Sequence, residues 1–121
     1  MAVMSSFVVD KIWGREVIFA DQDNYCGKLL IFDNEGSSCS MHFHAIKDET
    51  WYVQKGSFRV DWIDTKDAKT HSEVLRVGDV WHNPPLFPHR LTALQDDSVI
   101  FESSTEDSES DNYRIAPGKA K

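Results

Sequence analysis

The sequence predicts an all-β fold in which about ten short strands close into a sandwich or a barrel. Strand-like apolar runs recur at short intervals, and Gly, Asp, Asn and Pro residues separate them. No window of a dozen residues keeps a helical apolar period, so helix should be scarce. Closing the sheet would also remove exposed strand edges.

The expected strands follow one another along the chain with short turns between them. They cover residues 7–9, 16–19, 28–32, 40–44, 49–53, 58–63, 72–75, 80–81, 89–94 and 99–102. Residues 64–70 are polar and are expected to form a hairpin loop. Between residues 103 and 112 the chain turns acidic and serine-rich, which is typical of a mobile segment.

These elements predict one domain spanning residues 1–121, because 121 residues suffice for one core but not for two. Its core should cover about residues 7–103, followed by an acidic, partly mobile segment at about 104–121. Within that segment, residues 113–115 could dock back onto the barrel, whereas residues 116–121 are expected to be frayed.

Composition narrows the classes of partner. Hydrophobic residues make up 40% of the chain and aromatic residues 12%, which favours a packed globule. The formal net charge of −7 disfavours nucleic acid and anionic membranes, because both require a basic surface. An anionic substrate would need a local cationic pocket.

The cysteine count and the absence of apolar segments indicate a compartment. Cys26 and Cys39 are too few to define a disulfide scaffold. Residues 1–6 do not resemble a signal peptide, and no run approaches the ~20 apolar residues of a membrane span. We therefore expect a cytoplasmic protein with reduced thiols.

The segment 36–56 contains most of the residues that indicate a chemical function. His42 and His44 are two positions apart, so on a strand they share one face, roughly 6.5–7 Å from each other. A short turn leads to Glu49 on the next expected strand, and His89 follows a proline-bearing turn farther on. Any one histidine would usually be an ordinary polar residue, but the four together predict a site inside the barrel for one divalent transition metal (Zn, Mn, Fe, Co or Ni).

This segment resembles the first motif of the cupin superfamily. That motif is a glycine, five residues, His-x-His, three or four residues, a glutamate, six residues and a glycine. Gly36, His42, His44, Glu49 and Gly56 match it in order. The resemblance implies a single-domain cupin, a double-stranded β-helix or jelly-roll barrel.

The second cupin motif is matched in part. Gly78, Pro84 and His89 stand at its positions, whereas Leu86 replaces the usual glycine and Ala93 replaces a frequent asparagine. Neither departure falls on a proposed ligand. The resemblance therefore implies that His89 completes the metal-binding set.

Most of the chain is also similar to the cupin domain of type II mannose-6-phosphate isomerases. The similar stretches are residues 11–14, 25–28, 40–56 and 84–91. His42 replaces that family's glutamine ligand, Thr50 replaces a histidine, and residues 109–114 only faintly match its C-terminal signature. The resemblance implies aldose–ketose interconversion of a sugar or sugar phosphate.

That activity would use the metal as a Lewis acid toward the substrate's O1 and O2, with an enediolate developing beside it. A base must then move a proton between C1 and C2. Glu102, on the last expected strand, is the favoured base, although a solvated carboxylate there is equally compatible with the sequence. Glu49 or a metal-bound hydroxide is the alternative.

A phosphate group would need cations near the metal, and the sequence offers four. They are Lys28, Lys47, Arg90 and Arg114, of which Lys28 and Arg90 are favoured because they occupy matched motif positions. Trp51 could stack on a sugar ring, because it follows Glu49 on the same strand face. The other tryptophans are expected in the core.

Two further function classes fit the same residues. Three histidines and one glutamate also bind Fe(II) in non-haem dioxygenases. A cupin that binds a sugar or another effector without turnover also fits, because a fold does not determine its function, and it ranks after the isomerase and before the dioxygenase. In each case the partner is a small molecule, and a homodimer is the expected assembly from base rates and from the pairing of small cupins through their sheets.

Overall fold

The computed structural model describes residues 2–121, and all regular secondary structure in this range is β-structure. Eleven strands follow in chain order: β1 (Phe7–Lys11), β2 (Gly14–Asp21), β3 (Cys26–Phe32), β4 (Met41–Phe43), β5 (Glu49–Lys55), β6 (Ser57–Asp64), β7 (Lys69–Arg76), β8 (Val80–Asn83), β9 (His89–Ala93), β10 (Ser98–Ser104) and β11 (Tyr113–Ala116). None of the described residues forms a helix that is long and apolar enough to cross a membrane.

The strands form two antiparallel sheets. One has six strands in the order β1-β2-β3-β10-β5-β8, and the other has five in the order β11-β4-β9-β6-β7. Neighbours in a sheet are often distant in sequence, as where β10 lies between β3 and β5. This architecture confirms the predicted fold class, an all-β jelly-roll barrel.

The core lies between the two sheets. Phe32, Val53 and Ile100 of the six-stranded sheet and Phe58 and Leu91 of the five-stranded sheet are fully buried. Burial of each such side chain contributes about 1.5–3 kcal/mol. Because strand residues alternate between faces, these apolar positions determine which polar neighbours also face the interior.

Every predicted strand is present, but two segments differ from expectation. The hairpin loop predicted at residues 64–70 is shorter, because β6 and β7 stay paired as far as Asp64 and Lys69. Residues 113–115, for which docking but no strand was expected, form β11 together with Ala116 and pair with β4. Both segments are largely exposed, so apolar alternation does not mark them. Within the stretch expected to be frayed, Lys119 exchanges two backbone hydrogen bonds of 2.9 Å with Ser38.

The segment between β10 and β11, residues 105–112, is tethered to the loop between β4 and β5, and we call it the C-terminal strap. At its start, Thr105 N donates to Asp48 O at 3.0 Å and Asp48 N donates to Thr105 Oγ1 at 3.0 Å. At its end, the Asp111 carboxylate accepts the backbone N–H groups of residues 45–47. The predicted mobility of this region stays a prediction.

Candidate metal centre

Four potential ligands converge between the two sheets. His42 and His89 are partners on β4 and β9, His44 follows β4, and Glu49 begins β5 on the opposite sheet. One ligand atom from each lies within 4.8 Å of all the others. The structure thus brings together the four residues that the sequence predicted as ligands, and their role as ligands remains a proposal.

Backbone carbonyls orient all three imidazoles. They are Ser40 O, Asp111 O and Phe87 O, which lie 2.8, 2.6 and 2.8 Å from Nδ1 of His42, His44 and His89, respectively. A carbonyl oxygen only accepts, so each Nδ1 must carry the proton. The lone pair of every Nε2 is therefore free for a metal, as in metal sites where a second contact sets the tautomer.

The contact between His89 and Glu49 tests whether the site suits a cation. Nε2 of His89 is buried and has no hydrogen-bond partner, yet Oε1 of Glu49 lies 2.8 Å away. With Nδ1 protonated, two acceptor atoms face each other at this distance and repel. A positive ion in contact with both atoms removes that repulsion, so the donor set fits a divalent transition metal.

The protonation states favour the same ion. Burial lowers the pKa of His42 to about 3, with His89 contributing, and burial also lowers the pKa of His44. Burial would raise the pKa of Glu49, but the charge of Lys47, whose Nζ lies 3.4 Å from Oε2 of Glu49, opposes it and holds the pKa below its usual range. Neutral imidazoles beside an anionic carboxylate are the forms that bind metals.

A buried ionic network lies beside the ligands, and its members are Glu16, Lys28, Lys47, Glu49, Glu102 and Asp107. Lys47 joins it to the proposed metal ligands, because its Nζ is 3.4 Å from Oε2 of Glu49, 3.2 Å from Oε2 of Glu102 and 3.4 Å from Oδ1 of Asp107. Burial disfavours the charge on Lys47, but these carboxylates outweigh it and raise its pKa. Lys47 is therefore protonated and is surrounded by three carboxylates.

Lys28 is enclosed in the same way. Its Nζ lies 2.9 Å from Oδ2 of Asp107, 3.3 Å from Oε2 of Glu16 and 3.7 Å from Oε2 of Glu102. Its pKa is raised because these charges outweigh its burial. Both lysines that the sequence predicted for phosphate binding are thus already paired with carboxylates.

Glu102 is the second buried carboxylate of the site. Trp51 Nε1 donates to its Oε1 at 3.0 Å, and Lys47 Nζ donates to its Oε2 at 3.2 Å. Burial and the neighbouring charge of Glu49 raise its pKa to about 7, although both lysines oppose the shift. A carboxylate in this range exchanges protons readily near neutral pH.

Of the remaining predicted substrate residues, Trp51 and Arg114 line a cavity beside the proposed ligands, and Arg90 lies outside it. Trp51 is 2% exposed, and its indole packs edge-on against His89 with ring centroids 5.3 Å apart, so it offers little free face. Arg114 lines the same cavity, whose volume is about 690 Å³. Arg90 follows His89 on β9 and so faces the other side of the sheet, where its guanidinium donates to Pro117 O at 3.1 Å.

Leu86, which stands where the second cupin motif usually has a glycine, adopts the left-handed backbone conformation that favours glycine. Its φ is +64°, and its N–H donates to His44 O at 2.6 Å. The turn before β9 therefore keeps a left-handed residue without glycine. Its hydrogen bond connects this turn directly to a proposed ligand.

Sequence reasoning missed Asp107 and Asp111. Both lie in the acidic segment expected to be mobile, and an isolated Asp among other acidic residues carries no local signal. The pairing of β11 with β4 could have indicated them, because a strand there brings the preceding residues close to the His42–His44 segment.

Comparison with sequence families gives one match along most of the chain. A sequence profile described as Cupin matches residues 26–117. No curated protein is significantly similar to the chain in sequence.

Solved structures of the same fold include proteins of different kinds. KdgF from a Halomonas species is 23% identical, with a TM-score of 0.68 over 79% of this chain and 81% of that chain. A variant of Bacillus subtilis oxalate decarboxylase is 20% identical, with a TM-score of 0.76 over 95% and 34%. The capsular polysaccharide assembling protein CapF from Staphylococcus aureus is 17% identical, with a TM-score of 0.82 over 94% and 35%. The chain spans about a third of the latter two proteins, and at these identities the likeness concerns the fold alone.

Proposed function

The chain belongs to the cupin family, whose profile covers residues 26–117, and from this premise we propose that it is a metal-dependent isomerase of a sugar or sugar phosphate. The observation that carries the proposal is a second buried carboxylate, Glu102, beside the metal ligand Glu49. Lys47 Nζ contacts both, at 3.2 Å and 3.4 Å. A metal-dependent isomerase uses this combination of a Lewis-acid site and a separate proton acceptor.

The proposed ligands are His42, His44, Glu49 and His89, which would hold one divalent transition metal. When bound, such an ion stabilises negative charge on neighbouring substrate oxygens. The carbonyl contacts to Nδ1 hold the imidazoles in place for this role.

Glu102 is the better candidate for the base that moves the proton between C1 and C2. Its pKa of about 7 allows it to accept and return a proton, whereas the pKa of Glu49 is held well below the usual range. The hydrogen bond from Trp51 fixes the orientation of the Glu102 carboxylate. Trp51 is on this view a positioning residue rather than a stacking platform.

The substrate class is supported by the resemblance to mannose-6-phosphate isomerases and by the cavity of about 690 Å³, which accommodates a hexose-sized molecule. CapF, of the same fold, is a capsular polysaccharide assembling protein. These observations favour a carbohydrate.

The test is proton exchange at C2 in protein loaded with Zn, Mn, Fe, Co or Ni. Mannose and mannose 6-phosphate are incubated in heavy water without oxygen, and NMR follows both deuterium at C2 and the ketose product. We expect Glu102→Gln to lower kcat by about 100-fold or more while metal stoichiometry stays at one. Glu106→Gln, on an exposed residue of the strap, is the matched control and should retain activity.

Turnover without oxygen would also exclude a dioxygenase. Exchange that is undiminished in Glu102→Gln would contradict the assignment of the base, and protein that binds no metal would contradict the whole proposal.

One observation favours a second candidate, a sugar-binding cupin without turnover. Glu102 receives hydrogen bonds or ionic contacts from Trp51, Lys47 and Lys28, which leaves its carboxylate strongly restrained. Saturable sugar binding without exchange at C2, whichever metal is supplied, would identify this function.

A further inference from the structure

We propose that Lys28 and Lys47 form a carboxylate-binding subsite beside the metal ligands, and that Asp107 of the C-terminal strap occupies this subsite until a small carboxylate-bearing ligand displaces it. The Asp107 carboxylate bridges the two ammonium groups, with Oδ2 2.9 Å from Lys28 Nζ and Oδ1 3.4 Å from Lys47 Nζ. The inference rests on the proposed metal-dependent small-molecule function.

Asp107 is the member of the network that can leave. Its side chain is 35% exposed, whereas those of Lys28 and Lys47 are 7% and 4% exposed. It lies in an unpaired part of the strap, and Thr105 and Asp111 anchor the strap on either side of it. Rotation of Asp107 into solvent therefore breaks its own ion pairs without releasing either anchor.

The subsite lies next to the metal ligands. Lys47 Nζ is only 3.4 Å from Oε2 of Glu49. An anion bound to Lys47 therefore lies next to the four proposed metal ligands. A small molecule can thus place its carboxylate on the lysines and an oxygen of its own at the metal. Arg114 lines the same cavity but is exposed, whereas Lys28 and Lys47 are the buried cations of that cavity.

Charge balance selects a single negative charge. With Glu102 ionised, the form in which it can act as a proton acceptor, the network without Asp107 holds two ammonium groups and three carboxylates, and a divalent metal would bring the total to one positive charge. One carboxylate restores neutrality, whereas a phosphate dianion leaves one negative charge and a neutral sugar leaves the positive charge unpaired. Unbalanced charge is costly in a buried site, so the subsite favours a carboxylate.

The experiment measures binding to the zinc-loaded full chain by calorimetry, with three probes that share the glucose ring: glucuronate, glucose 6-phosphate and glucose. We expect glucuronate to bind more tightly than the other two. Asp107→Ala removes the internal competitor and should tighten glucuronate binding about 10-fold. Glu106→Ala, the adjacent exposed acid without a contact to either lysine, is the control and should change nothing.

A second variant tests the subsite from the opposite side. Lys28→Gln should abolish the preference for glucuronate over glucose, provided that thermal unfolding and zinc stoichiometry match the wild type. If that variant does not fold, the Asp107→Ala comparison decides alone. Unchanged or weaker glucuronate binding in Asp107→Ala, with zinc bound, overturns the subsite but leaves the metal-dependent function standing. Failure to bind zinc overturns the proposed function itself.

Discussion

At the scale of single residues, Asp111 contacts the proposed metal centre through the main chain as well as through its side chain. Its carbonyl accepts the Nδ1 proton of His44 at 2.6 Å. Its carboxylate accepts the N–H groups of residues 45–47, at 2.7 Å from Ala45 N and 2.9 Å from Lys47 N. These N–H groups hold the pKa of Asp111 below its usual range, although its burial opposes the shift.

We predict that Asp111→Ala weakens zinc binding about 10-fold, because the loop that carries His44 loses its anchor while all four ligands remain. Competition with a chromophoric chelator measures this affinity without reference to activity. The matched control is Asp79→Ala. This substitution also removes a carboxylate that accepts a backbone N–H group, that of Arg76 at 2.7 Å, but the loop concerned carries none of the proposed ligands. Equal zinc affinity in the two variants would show that the anchor does not reach His44.

The same carboxylate makes stability depend on pH. The pKa of Asp111 is lower in the folded protein, so its contribution is fully present above the ordinary Asp value of about 4 and is lost as the pH falls through the folded value. The free energy of unfolding of the wild type should exceed that of Asp111→Ala by about 2 kcal/mol at pH 7. Urea titrations should show this difference disappearing in acid.

At the scale of elements, what the sequence predicted depends on how far apart the interacting residues lie. His42 and His44 lie on and just after β4, and a short turn leads to Glu49 at the start of β5 in the facing sheet, so the three lie close together in sequence and a sequence motif can indicate them. Asp107 contacts Lys28 across 79 positions, and no local pattern connects them. The strands and the group of His42, His44 and Glu49 were therefore predictable from nearby residues and His89 from the resemblance to the second motif, whereas the contacts of the strap were not predictable.

The β1–β2 hairpin gives a prediction about a single element. Gly14 begins β2 opposite Phe32, and its φ is +152°. A Cβ there would lie 1.9 Å from the carbonyl oxygen of Ile31, and backbone atoms of a paired strand cannot move away cheaply. We expect Gly14→Ala to lower the free energy of unfolding by at least about 3 kcal/mol, measured by urea denaturation.

Gly78→Ala separates this steric clash from backbone strain. Gly78 has a φ of +93°, but a Cβ there meets nothing within 4 Å. Gly78→Ala should lower the free energy of unfolding by only about 1 kcal/mol, the cost of placing an alanine in a left-handed conformation. Comparable losses in the two variants would mean that β2 and β3 can separate at Gly14.

At the scale of the whole molecule, the outer face of the six-stranded sheet is unusually apolar. One row of cross-strand neighbours crosses all six strands and carries no charge: Val8, Val17, Leu29, Phe101, Tyr52 and Val80. Four of them are substantially exposed, at 56% for Val8, 39% for Phe101, 46% for Tyr52 and 63% for Val80. A contiguous apolar patch of this kind is typical of a protein interface.

We predict that a second copy of the chain covers this face, which would form the homodimer expected from the sequence. A two-fold axis pairs one surface with itself, so an uncharged row meets an uncharged row without repulsion. Phe101→Arg places a charge at the centre of the row and should convert the dimer to a monomer, measured by light scattering after gel filtration. Val74→Arg, on β7 of the other sheet, replaces a residue of similar exposure (40%) and should leave the dimer intact. A monomeric wild type, or dissociation by both substitutions, would show that the interface lies elsewhere.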